Sequence, residues 1–137
     1  MIIDSSAIIA VLNNEPERPF FTKAIAEASS CFMSTASFVE TSIVLEHRFG
    51  YDGVRDFDLL ISKASIALAP VDADQANIAR QAFKTYGKGR HPAQLNFGDC
   101  FSYALAKARD EVLLFKGNDF NHTDVKCYAP DFSESGR

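Results

Sequence analysis

The sequence has no apolar run long enough to cross a membrane and too few cysteines for a disulfide scaffold. Its longest uninterrupted apolar run, residues 7–12, falls far short of the roughly 18 residues that a transmembrane helix needs. The first residues contain no basic leader and reach an acid at Asp4, so we expect a cytoplasmic protein with no membrane partner. Three cysteines at unrelated spacings, together with three scattered histidines, fit neither a disulfide framework nor a zinc site.

A basic excess is also missing. The chain has 14 Lys and Arg against 18 Asp and Glu, a formal net charge of -4, which argues against a general nucleic-acid coat protein. Four acids are candidates for a single cluster: Asp4, Glu40, Asp99 and Asp119. The remaining 14 acids balance the 14 bases. The whole acidic excess would then lie in one pocket, where divalent cations could neutralise it.

The pattern of short apolar runs and helical faces predicts an α/β fold in one domain over residues 1–130, followed by a polar, flexible tail at 131–137. We expect strands at residues 1–3, 31–34, 66–71 and 112–115, and a weaker fifth strand at 126–128. Alternation with helices predicts a mainly parallel sheet of four or five strands, covered by helices on both faces.

Capping residues and apolar spacing place the helices. We expect helices at residues 7–12, capped by Ser5 or Ser6, and from Pro16 to about residue 28. Another, capped by Thr35 or Ser37, ends at Gly50. It is followed directly by a helix at 54–63, and the two could form a projecting hairpin that pairs two protomers. Asp72 or Asp74 caps the next helix, which ends at Gly87.

The segment from 95 to 108, LNFGDCFSYALAKA, predicts an apolar helix with an acid in its first turn. Asn96 can cap this helix, and a carboxylate at Asp99 suits the positive end of the helix dipole. Capping alone could explain Asp99. The acid gains a second interpretation only if other acids converge on it.

Three other acids could do so. Asp4 and Asp119 follow the ends of predicted strands, and Glu40 lies in the early turns of a predicted helix. Parallel sheets bind ligands beyond the carboxyl ends of their strands, so all four acids could open onto one edge. Carboxylates that share a pocket repel one another, and oxygen ligands without Cys or His suit Mg²⁺ or Mn²⁺. The chemistry indicated is metal-assisted hydrolysis of a nucleic-acid backbone.

A basic loop, KGRHP at residues 88–92, leads into the Asp99 helix. It is either a solvated run of charge or a region that contacts phosphates. On the second interpretation Lys84, Lys88, Arg90 and Lys116 would offset the repulsion between acidic pocket and RNA.

The motifs MIIDSSAIIAVL, ASFVETSIVL, LNFGDCFSYALA and LLFKGNDF together resemble the PIN-domain ribonucleases, in particular the VapC toxins of bacterial type II toxin-antitoxin pairs. The resemblance implies a PIN-like three-layer sandwich and an endoribonuclease that depends on Mg²⁺ or Mn²⁺. It implies that Asp4, Glu40, Asp99 and Asp119 are the metal-binding and catalytic acids, with Asp4 and Asp99 holding the principal ion. A metal-activated water would attack phosphorus and leave a 5′-phosphate product.

The resemblance also concerns neighbouring residues and partners. Ser5 and Ser6 match hydroxyl positions that orient the first aspartate. The fourth acid can lie two residues earlier in related proteins, where this chain has Gly117, so Asp119 could bind a metal through water or only shape the rim. Expected partners are structured RNA such as tRNA or rRNA, a cognate VapB-type antitoxin and a second copy of the chain.

Two other interpretations remain open from the sequence. A phospho-accepting receiver domain would use Asp4, Asp72 and Lys116 as its acid pocket, acceptor and lysine. Against it, two helices separate the second and third predicted strands. The other interpretation is a catalytically inactive PIN-like module that binds RNA or protein, although the intact set of acids argues against lost activity.

Overall fold

Four short parallel strands form one sheet in this computed structural model, which describes residues 1–129. The predicted tail at 131–137 lies outside the described residues. The strands are paired in the order β3-β2-β1-β4. Their bounds are β1 (Ile2–Ile3), β2 (Cys31–Ser34), β3 (Ile66–Ala69) and β4 (Leu113–Leu114). This confirms the predicted α/β class and the parallel sheet.

The predicted fifth strand is reduced to a single bridge beside β4. Cys127 pairs in parallel with Leu113, whose N–H donates to the Lys126 carbonyl and whose carbonyl accepts from Tyr128. Two backbone hydrogen bonds at one position are too few to make a strand, so the sheet has four strands within residues 1–129.

Helices fill both faces of the sheet. They are α1 (Ser5–Leu12), α2 (Arg18–Glu27), α3 (Thr35–Phe49), α4 (Tyr51–Lys63), α5 (Ala73–Tyr86) and α6 (Phe97–Arg109), with a short 3₁₀ helix at Asp119–His122. Helix α2 begins two residues later than its predicted start at Pro16. Helix α4 begins three residues earlier than its predicted start at residue 54. Within the described part of the chain, no helix is long and apolar enough to span a membrane.

The alternation of side chains along β1 divides the core into two parts. Ile3 packs in a cluster with residues of α1, α2 and α4, whereas Ile2 packs on the opposite face with residues of α5 and α6. Both side chains are fully buried. Because successive strand residues point to opposite faces, a strand this short can be apolar throughout only if helices cover both sides.

The α3–α4 pair does not project from the domain as expected. Phe57 of α4 is fully buried in the first core cluster and its ring lies 5.4 Å from that of Phe38 on α3. Tyr51, the first residue of α4, is the most exposed large apolar side chain of that helix. The apolar face of α4 therefore anchors the hairpin to the sheet.

At two points the residue that ends a strand, or directly follows it, caps the next helix, where the sequence predicted a later cap. Asp4 accepts a hydrogen bond from the backbone of Ser6, and Ser34 caps α3 in the same way. An N-cap residue has extended backbone angles, so a strand end already has the required conformation. The predicted caps, Ser5 or Ser6 for α1 and Thr35 or Ser37 for α3, are wrong. The hydroxyl groups of the three serines make other contacts.

The chain order also places Asp4 at a special position. Strand β1 is followed by β2 on one side, but its other neighbour, β4, comes last in the chain. Helices α1 to α4 cover one face, and the later helices cover the other. In open α/β sheets such a switch in strand order opens a crevice beyond the carboxyl ends. Asp4 follows β1 directly at that crevice.

Candidate acidic site

Asp4 is a buried carboxylate held by three hydrogen bonds. Its Oδ2 accepts from the backbone N–H of Ser6 at 3.0 Å and from the Ser6 hydroxyl at 2.6 Å. Its Oδ1 accepts from the Ser102 hydroxyl at 2.5 Å. Only 3% of Asp4 is exposed, and these donors replace the water that a buried carboxylate loses. Ser6 therefore orients the first aspartate, as the resemblance implied.

The loop after β4 is tied to this carboxylate. The backbone N–H of Lys116 donates to the Ser6 hydroxyl at 2.9 Å. The Lys116 ammonium group forms ion pairs with Glu15 and with Glu17, the latter at 2.9 Å, in the turn between α1 and α2. Lys116, predicted to contact RNA, therefore has its charge engaged by two glutamates and joins two loops at the site.

Glu40 reaches the site from α3. Ser5 donates its hydroxyl hydrogen to Glu40 Oε1 at 2.8 Å. Ser5, expected to orient Asp4, orients the second acid instead. Burial raises the pKa of Glu40 and the charge of Asp4 adds to this effect, while the Ser5 hydroxyl opposes both.

Asp99 combines capping with a position among the other acids. Its Oδ2 accepts from the Asn96 backbone at 3.0 Å, and its own N–H donates to Asn96 Oδ1 at 2.9 Å, which completes a capping box. Burial, together with the charges of Asp4, Glu40 and Asp119, raises the pKa of Asp99 to about 7, although the hydrogen bond from Asn96 acts in the opposite direction. Asp119 itself is exposed at the start of the 3₁₀ helix.

Three site residues were missed from the sequence. A Cβ atom on Gly98 would lie 1.8 Å from Glu40 Oε2, so only glycine lets this carboxylate approach α6. Ser102 donates to Asp4, and Ser37 contacts Ser102. Two signals were available: a glycine in a first helical turn costs stability relative to alanine, and Ser102 lies on the same helix face as Asp99, three residues later.

The donor set suits a hard divalent cation. Among residues 1–129, no three Asp, Glu, His or Cys side chains form a ready-made metal cage. Magnesium sites are rarely complete cages, because the ion keeps several waters and takes one or two carboxylates together with substrate phosphate. Asp4, Glu40 and Asp99 supply only oxygen ligands. Burial, together with the charges of the neighbouring acids, raises the pKa of Asp99, and a bound cation would favour its charged form.

The predicted basic residues lie beside the start of α6. Lys84, Lys88 and Arg90 are exposed, and Arg90 lies 5.2 Å from the centre of the Phe83 ring. The Lys88 backbone donates to the carbonyl of Leu95 at 2.8 Å, which fixes the loop next to the cap of α6. The loop is thus anchored near the acids, with its charged side chains facing solvent.

The strand order argues against the receiver interpretation. Asp72 follows β3 at the edge of the sheet, whereas Asp4 follows β1, with β2 between them. Two strand spacings amount to roughly 10 Å, and the Asp72 side chain caps α5 by accepting from Gln75 at 2.8 Å. Asp72 is therefore a helix cap and does not share the pocket with Asp4.

The sequence matches the PIN domain over residues 1–126. It is 52% identical over 129 residues to ribonuclease VapC30 of Mycobacterium tuberculosis, covering 94% of this chain and 98% of that protein. An alignment at this identity over nearly the full length of both chains establishes the family.

Solved structures agree with this assignment at the level of the fold. Mycobacterium tuberculosis VapC20, described as a sarcin-ricin loop cleaving toxin, has a TM-score of 0.77 at 17% identity, covering 94% of this chain and 98% of that one. VapBC2 from Rickettsia felis, bound to a DNA fragment from its promoter, has a TM-score of 0.71 at 11% identity. The match covers 95% of this chain and 98% of that one. With the acids gathered at the switch point of the sheet, the chain belongs to the PIN domain family, and within it to the VapC ribonucleases.

Proposed function

We propose that this protein is the toxin of a type II toxin-antitoxin pair and cleaves RNA as an endoribonuclease dependent on Mg²⁺ or Mn²⁺. The observation that carries the proposal is the convergence of acids at Asp99, whose pKa is raised to about 7 by burial and by three neighbouring carboxylates. Buried carboxylates that lie close together are unfavourable when charged, and a bound cation stabilises their charged forms. The identity to a relative named as a VapC ribonuclease supports the same activity.

In this proposal Asp4 and Asp99 hold the principal ion, and Glu40 and Asp119 complete its shell or hold a second ion. When bound, the cation supplies a water of lowered pKa and offsets charge at the scissile phosphate. Ser6 and Ser102 fix the Asp4 carboxylate, and Ser5 fixes Glu40. Asp119 is exposed and would act at the open rim of the site.

The substrate we propose is a structured RNA such as tRNA or a ribosomal loop. Lys84 in the last turn of α5, with Lys88 and Arg90 in the loop before α6, would contact the phosphates on either side of the cleaved bond. Their exposure and their place beside the acids support this role.

Two protein partners belong to the proposal. A VapB-type antitoxin would cover the acidic crevice, which offers paired carboxylates to an arginine. A second copy of the chain would pack on α3, where Val39 and Ile43 are 53% and 62% exposed. The VapBC2 structure from Rickettsia felis supports a toxin fold of this kind working with an antitoxin.

Cleavage of RNA by the purified protein tests the activity. We expect fragments with 5′-phosphate ends in Mg²⁺ or Mn²⁺, no cleavage in EDTA, and at least a hundredfold loss of rate for Asp99→Asn. Asp74→Asn, which removes an exposed acid on α5, is the matched control and should cleave normally. Cleavage that persists in EDTA or in Asp99→Asn would refute the proposed mechanism.

A further inference from the structure

A chain of buried serine hydroxyls connects the elements around Asp4. Ser102 on α6 and Ser37 on α3 are 0% and 1% exposed, and their hydroxyl oxygens lie 3.1 Å apart. Ser102 also donates to Asp4 Oδ1 at 2.5 Å. Three segments that are distant in sequence therefore meet through hydroxyl groups in a region that apolar side chains could have filled.

The directions of these hydrogen bonds follow from the carboxylate. Ser102 is the donor to Asp4 Oδ1, and a hydroxyl group has one hydrogen, so that hydrogen is committed to the carboxylate. The bond between the serines must then run from Ser37, as donor, to the oxygen of Ser102. Ser37 thereby holds Ser102 in the rotamer that faces Asp4, and both hydrogens point along the chain toward the acid.

The hydrogen bonds to Asp4 leave one acceptor position of its carboxylate unused. A carboxylate offers about four lone-pair positions. On Asp4, Ser6 uses two through its backbone and hydroxyl, both on Oδ2, and Ser102 uses one on Oδ1. The remaining position is on Oδ1, the same oxygen that Ser102 contacts.

We propose that Ser102, supported by Ser37, is a positioning residue that holds Asp4 with one Oδ1 position directed to a divalent cation. This inference rests on the proposed function, since it assumes that Asp4 binds a metal. Partners of metal-binding carboxylates typically change metal affinity by 10-fold to 100-fold when removed. The role of Ser37 is indirect, because it contacts Ser102 and not Asp4.

A purely structural role predicts a different outcome. Removing a hydroxyl from buried packing would change the stability of the metal-free protein and leave metal affinity unaltered. A positioning role predicts that the affinity for Mn²⁺ falls while the protein still folds. It also predicts that Ser37 and Ser102 do not act additively, because Ser37 works through Ser102.

Binding of Mn²⁺ in the absence of RNA, measured by calorimetry, tests the inference, with thermal unfolding in EDTA as the measure of stability. The variants are Ser102→Ala, Ser37→Ala and the two combined. Ser42→Ala is the matched control, because the Ser42 hydroxyl donates to the Phe38 carbonyl at 2.8 Å on α3 and does not contact the hydroxyl chain.

We expect the dissociation constant to rise about tenfold for Ser102→Ala, by a smaller factor for Ser37→Ala, and no further in the double variant than in Ser102→Ala. The control should bind as wild type does. Unchanged affinity in Ser102→Ala, or additive losses in the double variant, would overturn the inference. If Ser102→Ala does not fold, unchanged affinity in Ser37→Ala overturns it equally. A wild-type protein that binds no Mn²⁺ refutes the metal dependence itself, which separates the two failures.

Discussion

Asp99 has two tasks within one helical turn, and they have opposite effects on stability. The capping box with Asn96 stabilises the start of α6. Burial beside Asp4, Glu40 and Asp119 works against the charged form and raises the pKa of Asp99 from 3.8 to about 7. The folded protein therefore binds this proton more tightly than the unfolded chain, so its stability falls as the pH rises between these two values.

Asp99→Asn should consequently stabilise the metal-free protein. The amide keeps an oxygen that can accept from Asn96 but carries no charge. We expect almost no gain near pH 4, a growing gain up to about pH 7, and a constant gain of about 1–2 kcal/mol above it, because partial exposure reduces the full effect of the shift. Thermal unfolding in EDTA at several pH values measures this. A gain independent of pH would show that the charge of Asp99 is not its cause.

At the scale of elements, the approach of α3 to α6 depends on Gly98. In Gly98→Ala the new Cβ would stand 1.8 Å from Glu40 Oε2, and the flexible glutamate can retreat more easily than the backbone. Alanine also favours the helix by up to about 1 kcal/mol. We expect a folded protein of similar stability whose Mn²⁺ affinity and cleavage rate fall about tenfold.

A double-mutant cycle isolates the cause of that loss. If Gly98→Ala acts by displacing Glu40, the substitution should cost nothing further in a Glu40→Ala background, where no carboxylate is left to displace. Equal losses in both backgrounds would place the effect elsewhere, in the first turn of α6. Calorimetry with Mn²⁺ and the RNA cleavage rate should agree on the outcome.

The predicted strands and helices were enough to place the acids at the edge of the sheet. The hydrogen bonds that the acids accept could not be predicted in this way. Asp4 follows an apolar strand and Asp99 follows a capping asparagine, and these local signals place both at the open edge of a parallel sheet. The hydroxyl contacts depend on how α1, α3 and α6 meet. Ser5 was assigned to the wrong acid for that reason, since nothing in its local sequence distinguishes Asp4 from Glu40 as its partner.

The ion pairs of Lys116 could not be predicted from the local sequence either. The sequence predicts Lys116 as one of the cations that offset the repulsion between the acidic pocket and RNA. The ion pairs with Glu15 and Glu17 come from a turn about 100 residues earlier in the chain, a contact that only the tertiary structure reveals. The exposed cations Lys84, Lys88 and Arg90 remain predictions for RNA binding, because exposure is necessary for that role and does not establish it.

At the scale of the whole molecule, large apolar side chains remain exposed on α3. Val39 and Ile43 lie one helical turn apart on a shared stripe, and Glu40 of the site lies between them in sequence. A dimer formed through this stripe would bury these side chains. Tyr51, the first residue of α4, is 89% exposed and is the alternative apolar position for a dimer contact.

Ile43→Glu should therefore yield a folded monomer. Because Ile43 is 62% exposed, the substitution should leave the far-UV circular dichroism and melting temperature of the protomer nearly unchanged. Two buried glutamates facing each other would weaken a dimer about a hundredfold or more. Light scattering after size exclusion measures the mass, with Tyr51→Glu as the control that should stay dimeric. Dissociation by Tyr51→Glu alone would move the interface to the tip of the hairpin, and a monomeric wild type would refute the dimer.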